Sequence, residues 1–159
     1  MSSRWLNYHD LTKDYPPAPI LIEALSYVNN KTRAIDIGAG SLRDTRFLLQ
    51  QGFDVEAFDK HTSIFNYAKE LESDKLWVCV DEFEDYPFGE DLFDLAVAIY
   101  SLPFCSPDKF DFVFNKIKKS LVIGGVFCGQ FFGLNDEWHD DKSMAFHSKE
   151  EVDKLLEGM

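Results

Sequence analysis

The sequence predicts an α/β protein. Its expected core is one doubly wound, Rossmann-like sheet of five parallel strands in the order 3-2-1-4-5, with helices on both faces. Three observations carry this. From about residue 18 onward, short apolar runs alternate with segments of helical period, and such an order implies right-handed crossovers between parallel strands. The run at 93–100 is almost wholly apolar, as a strand covered on both faces must be. The length of 159 residues, 45% of them hydrophobic and 15% aromatic, suits a single compact domain over 1–159.

The elements follow in order. Pro16, Pro17 and Pro19 open a helix on which Ile20, Leu21, Ala24, Leu25 and Val28 recur at helical spacing, and Asn29-Asn30 stops it. Residues 33–37 form the first strand, bounded by Gly38. Ser41 and Asp44 stand three apart like a capping box ahead of Phe47, Leu48 and Leu49, with Gly52 as the C′ residue. Residues 55–58 make the second strand, 62–72 a helix and 76–80 the third strand. An acidic loop over 81–91 leads to the fourth strand. Ser106-Pro107 supplies an N-cap and an N1 proline for a helix with Phe110, Val113, Phe114, Ile117 and Leu121 inward. Gly124-Gly125 should end that helix, leaving 126–132 as the fifth strand, and Ser148 with Glu151 caps a last helix. Residues 1–17 read as an extension whose Trp5, Tyr8 and Tyr15 serve either as a lid or as staples to the core.

Composition narrows the partners. Sixteen Lys+Arg against 28 Asp+Glu give a net charge of −12 and no basic stripe for a phosphate backbone, so nucleic acid is not expected. The most apolar stretch, 92–104, contains Asp94 and falls short of the ~20 residues that cross a bilayer. The N-terminus MSSRWLNYHDLTKDYPP lacks the apolar region of a secretion signal. Cys79, Cys105 and Cys128 are dispersed and odd in number, which fits reduced thiols in the cytoplasm. His139-Asp140-Asp141 has no paired-ligand spacing, so no metal is expected there.

A sheet of this order binds ligands at the carboxyl ends of its strands, beside the switch between strands one and four. That places 36–41, Asp59, 81–83 and 100–104 around one crevice. The first turn reads Asp36-Ile37-Gly38-Ala39-Gly40-Ser41-Leu42-Arg43. Its two glycines let backbone approach a ligand closely, although a plain tight turn would use them as well. A dinucleotide fingerprint wants a small residue where Arg43 stands. Asp59, nineteen residues after Gly40, suits both hydroxyls of a ribose in NAD or in any other adenosine ligand.

Asp36-Ile37-Gly38-Ala39-Gly40 with Asp59 resembles the S-adenosylmethionine (SAM) site of class I methyltransferases. Asp85-Tyr86-Pro87-Phe88 followed by Phe93-Asp94-Leu95 is similar to the loop and fourth strand of their small-molecule branch, and 121–132 to the approach to strand five. Ser101-Leu102-Pro103-Phe104-Cys105 and Gln130-Phe131-Phe132-Gly133 resemble bacterial members near the tellurite-resistance branch. The resemblance implies SAM as cofactor and a small-molecule acceptor. Gly38, Ala39 and Gly40 would face the cofactor's methionine and ribose, Asp36 its amino group, and Asp59 with Lys60 its adenosine. Glu82 and Phe83 would border the adenine, with Asp81 the competing acid, and Tyr100 and Leu102 would line the path from sulfonium to acceptor.

Leu42 replaces the third glycine of the family's fuller turn, and the chain reaches 157–159 where the family's strand six would begin. A homodimer covering the fifth strand's edge is one expectation from that. Methyl transfer needs a base only where the acceptor must lose a proton; Tyr100, His139 and His147 are the candidates, on or beside the polar stretch 133–147. Two rivals remain at this level: a SAM-binding regulatory or scaffold protein without catalysis, and an NAD(P)-binding enzyme.

Overall fold

A computed structural model describes residues 3–159. Its core is a five-stranded parallel sheet in the order β3-β2-β1-β4-β5. The strands are β1 Arg33–Ile37, β2 Asp54–Asp59, β3 Leu76–Val80, β4 Phe93–Ala98 and β5 Leu121–Gly129. The helices are α1 Ser3–Thr12, α2 Pro19–Ala24, α3 Arg43–Gln50, α4 Ile64–Leu71, α5 Phe110–Ser120 and α6 Lys149–Leu155. No helix among the described residues is long and apolar enough to cross a membrane.

Alternation along the strands decides what each face buries. Ala34 on β1, Val55 and Ala57 on β2, and Leu95 and Val97 on β4 meet α2, α3 and α4 through Leu21, Leu48, Ile64 and Tyr67. Ile35, Ile37, Phe58, Ala96 and Ala98 point the other way, to Phe110, Val113, Phe114 and Ile117 of α5. No helix joins β3 to β4. Phe83, Tyr86 and Phe88 of that connection fold into the sheet instead, with Tyr86 stacked on Phe58 at 4.0 Å, while Asp85, Glu90 and Asp91 stay exposed.

Four local expectations need correction. The Ser41–Asp44 capping box does not form: Leu42 is the residue ahead of α3, in the left-handed region at φ 60°, and Asp44 turns away to accept the Ala18 N–H at 3.0 Å. Ser106 makes no side-chain cap, because the chain first takes a 3-10 turn at Pro107–Lys109 before α5 starts. Gly124-Gly125 does not end a helix. The helix stops at Ser120, and β5 begins at Leu121 opposite Phe93, then bulges through 122–125 before pairing resumes at Val126 opposite Leu95. Gly124 sits at φ +79°, the conformation that lets the strand kink there. β5 accordingly ends at Gly129, not at residue 132. The Ser148–Glu151 box on α6 is present in both directions, at 3.2 and 2.7 Å.

Candidate functional site

Strands β1 and β4 are neighbours, yet their crossovers leave on opposite sides, so a crevice opens beyond their carboxyl ends. A cavity of about 680 Å³ lies there. That volume is within the roughly 300–1,000 Å³ of small-molecule and cofactor sites.

The floor is the turn after β1. Gly38 and Gly40 take positive φ, +69° and +53°. Space forbids a side chain at Gly38, where a Cβ would lie 2.5 Å from Ser101 Cβ, and is tight at Gly40, where one would lie 3.0 Å from His9 Nε2. The turn is pinned from both neighbouring strands. Ala39 N–H donates to Phe58 O at 2.9 Å, and Ser101 Oγ donates to Ile37 O at 2.5 Å. Asp36 and Ala39 reach the same cavity from β1 and the turn. Asp36 is buried, accepts from Thr45 Oγ1 at 2.6 Å, and is pushed up to about 7 by burial and then by the Asp44 carboxylate.

From β2 comes Asp59, also buried. One carboxylate oxygen accepts the Gly40 N–H at 3.0 Å and the other the His61 N–H at 2.9 Å. It therefore ties the glycine turn to its own loop while facing the cavity. Lys60, Asp81, Glu82 and Phe83 border the same space from the ends of β2 and β3. Tyr100, at φ 51° beyond β4, is exposed toward the cavity, and its N–H is held by Gln130 Oε1 at 2.8 Å.

Three expected residues lie elsewhere. Leu102 is buried in the α5-side core, because the chain after Ser101 tightens into a 3-10 turn that points it inward. His147 packs on Phe110 at 4.2 Å between ring centroids, and burial holds it below its usual value. His139 packs on Phe146 at 5.2 Å. Neither histidine lines the cavity.

Other residues line it, some of which the sequence left without a settled role and some, such as His9, that it did not single out. Helix α1 lies across the glycine turn and brings Arg4, Trp5, Tyr8, His9 and Thr12; Tyr15 points outward and is exposed. His9 is buried over Gly40, its Nδ1 has no hydrogen-bond partner, and burial draws it below its ordinary value. Tyr67 OH on α4 donates to Asp10 at 2.7 Å, and Arg46 on α3 donates to Lys13 O at 2.9 Å, which fastens α1 at its far end. Arg43, the residue that spoils a dinucleotide fingerprint, lines the cavity and pairs with Asp44 at 2.7 Å. The wall opposite the turn comes from 133–147, which contributes Glu137, Trp138, Asp140, Asp141, Ser143 and Met144. Ala145 N–H donates to Pro103 O at 2.8 Å and joins that stretch to the end of β4.

Residues 34–125 match the family model described as a methyltransferase domain. This is more than half of the chain, and the chain belongs to that family: it is a class I, S-adenosylmethionine-dependent methyltransferase. Among curated proteins, none matches the sequence closely. Solved structures match it in fold. A Haloferax volcanii chain, solved in complex with the Trm112 methyltransferase activator, is 21% identical with a TM-score of 0.78, over 96% of this chain and 71% of that one. The 1,6-didemethyltoxoflavin-N1-methyltransferase of Burkholderia thailandensis, solved with 1,6-didemethyltoxoflavin and S-adenosylhomocysteine, is also 21% identical at 0.78, over 97% and 71%. Phosphoethanolamine N-methyltransferase 2 of Haemonchus contortus, in complex with S-adenosyl-L-methionine, is 15% identical at 0.76, over 98% and 40%. At these identities the likeness is one of fold.

Proposed function

We propose that the chain transfers a methyl group from SAM to a small-molecule acceptor, with both held in the one cavity above β1 and β4. The observation that carries this reading is continuity. The glycine turn and the Asp59 network open into the same space as the rings of Trp5, Phe104 and Trp138. The volume suits two small molecules side by side, and two of the relatives act on small molecules by name.

The residues present fit the cofactor. Each Asp59 oxygen already accepts one N–H and keeps a lone pair for a ribose hydroxyl. Asp36 offers a carboxylate to the amino group, and Gly38 with Gly40 leaves backbone where a side chain would stand. Phe83 and Glu82, which line the cavity, would border the adenine. When bound, SAM supplies a methyl already activated on a sulfonium. What remains for the chain is alignment and exclusion of water, which α1 and 133–147 provide by covering the cavity. Tyr100, beyond the end of β4, lines the same cavity and would help to position the acceptor.

Titration of the purified chain with S-adenosylhomocysteine and, separately, with NAD and NADP tests the reading. At about 100 times Kd the cognate ligand adds about 2.7 kcal/mol to the folded state, or roughly 5–10 °C in Tm for a domain of this size. A shift with S-adenosylhomocysteine alone is the expected result. A shift with NAD alone would overturn it.

A further inference from the structure

The part of the cavity lined by Trp5, Phe104 and Trp138 has a chemistry of its own. Trp5, Phe104 and Trp138 meet there nearly edge to face, Trp5 to Phe104 at 5.0 Å and 86°, and Phe104 to Trp138 at 6.2 Å and 61°. Rings packed edge to face touch one another, so what they offer a ligand is the surface they turn to the cavity, and an aromatic face is the negative end of the ring's quadrupole. Carboxylates line the same cavity. Glu137 and Asp140 are exposed on the same turn, and Asp141 is held in place by Ser143 N–H at 2.9 Å and Oγ at 2.6 Å. The turn itself is fixed by Trp138 N–H on Asp136 Oδ1 at 2.9 Å. Across the whole lining, eight Asp and Glu face three Arg and Lys.

One cation already uses this wall. The Arg4 guanidinium lies 5.4 Å from the centre of the Trp138 ring. Aromatic faces rimmed by carboxylates attract an ammonium and repel a carboxylate or phosphate. We propose that the acceptor is a primary or secondary amine, recognised as its ammonium on the surface that Trp5, Phe104 and Trp138 turn to the cavity, with Glu137 and Asp140 lining the same space. This rests on the methyltransferase reading of the same cavity.

The step balances without a further reagent. The ammonium gives a proton to one of those exposed carboxylates and through it to solvent. The freed nitrogen lone pair attacks the methyl carbon, the C–N bond forms, the C–S bond breaks, and its electron pair stays on sulfur as the thioether. Positive charge thus passes from sulfur to nitrogen inside an enclosure in which eight Asp and Glu outnumber three Arg and Lys. Arg4 yields its position on Trp138 as the acceptor enters.

Binding of choline to the full chain saturated with S-adenosylhomocysteine tests this, read by the fluorescence of the tryptophans. The neutral isostere 3,3-dimethyl-1-butanol and the anion 3,3-dimethylbutyrate serve as comparisons. The expected result is that choline binds at least tenfold more tightly than either. Glu137→Gln/Asp140→Asn, which changes only exposed side chains, should reduce that preference at least fivefold, and Trp138→Leu should weaken choline itself about tenfold. Equal binding of choline and its isostere on the loaded protein, or tighter binding of the butyrate, would overturn the amine while leaving the cofactor reading intact. Failure of S-adenosylhomocysteine to bind at all, measured first by titration, would instead remove the reading beneath it.

Discussion

Burial and the neighbouring Asp44 carboxylate push Asp36 up to about 7, against the hydrogen bond that Thr45 donates to it. In the folded chain it therefore holds a proton that the unfolded chain has released above about pH 4. This contribution to stability is present at low pH and is lost as the pH rises through about 7. Binding of a ligand ammonium selects the ionised form, so affinity runs the opposite way. From pH 6 to 7.5 the association constant of S-adenosylhomocysteine should rise roughly five- to tenfold, and Asp36→Asn should flatten that rise; calorimetric titration across the range measures both. His9 and His61 face the same cavity, but burial draws both below their usual value, so they remain neutral through most of that window. Asp36 and Asp59 were legible in the sequence because a parallel strand's carboxyl end and the turn after it are fixed by local pattern. His9 was not. It reaches Gly40 from 31 residues away, and no spacing rule links a helix to a turn that it merely covers.

At the scale of elements, α1 shows why. Its ten residues, SRWLNYHDLT, carry no apolar stripe and fall below the ~12–15 residues at which an isolated helix holds in water. The sequence left Trp5 and Tyr8 as either lid or staple, and the helix exists through what it touches. Trp5 packs on Phe104, His9 sits over Gly40, and Asp10 accepts from Tyr67. Tyr67→Phe removes only the last of these. It should cost about 1 kcal/mol globally, while amides of α1 exchange several-fold faster and S-adenosylhomocysteine binds more weakly. Hydrogen exchange with and without ligand reads the first effect, and titration the second. A fall in Tm with unchanged exchange in α1 would mean that the helix is not held there. The misread start of β5 has a different cause. Gly124-Gly125 is a sound helix stop by local chemistry, but here the same freedom serves a bulge set by pairing with β4, which only the sheet decides.

For the whole molecule, the strand order was legible because buried parallel strands write themselves as apolar runs between helical periods. The loop that stands in place of a helix between β3 and β4 was legible as an acidic loop over 81–91, without its packing role. Its aromatic residues were read for a motif and an adenine border rather than for packing, yet Phe83, Tyr86 and Phe88 cover the α5-side face of the sheet where no helix lies. Phe88 is fully buried, with its ring edge-on to Phe58 at 5.7 Å and to Tyr86 at 4.9 Å. Tyr86 in turn donates to Glu56, which pairs with Arg33 at the start of β1. The loop is thus a structural layer that also sets Asp81, Glu82 and Phe83 at the cavity rim. Phe88→Ala should cost about 3–5 kcal/mol, a large share of the 5–15 kcal/mol typical of a domain, and lower Tm by roughly 6–20 °C. Because the rim hangs from the same loop, S-adenosylhomocysteine should lose affinity in this variant even at temperatures where it remains folded. Conservative Phe88→Leu, which keeps most of the volume, should recover most of both. Stability lost without any change in affinity would separate the layer from the site, and the loop would then be packing alone.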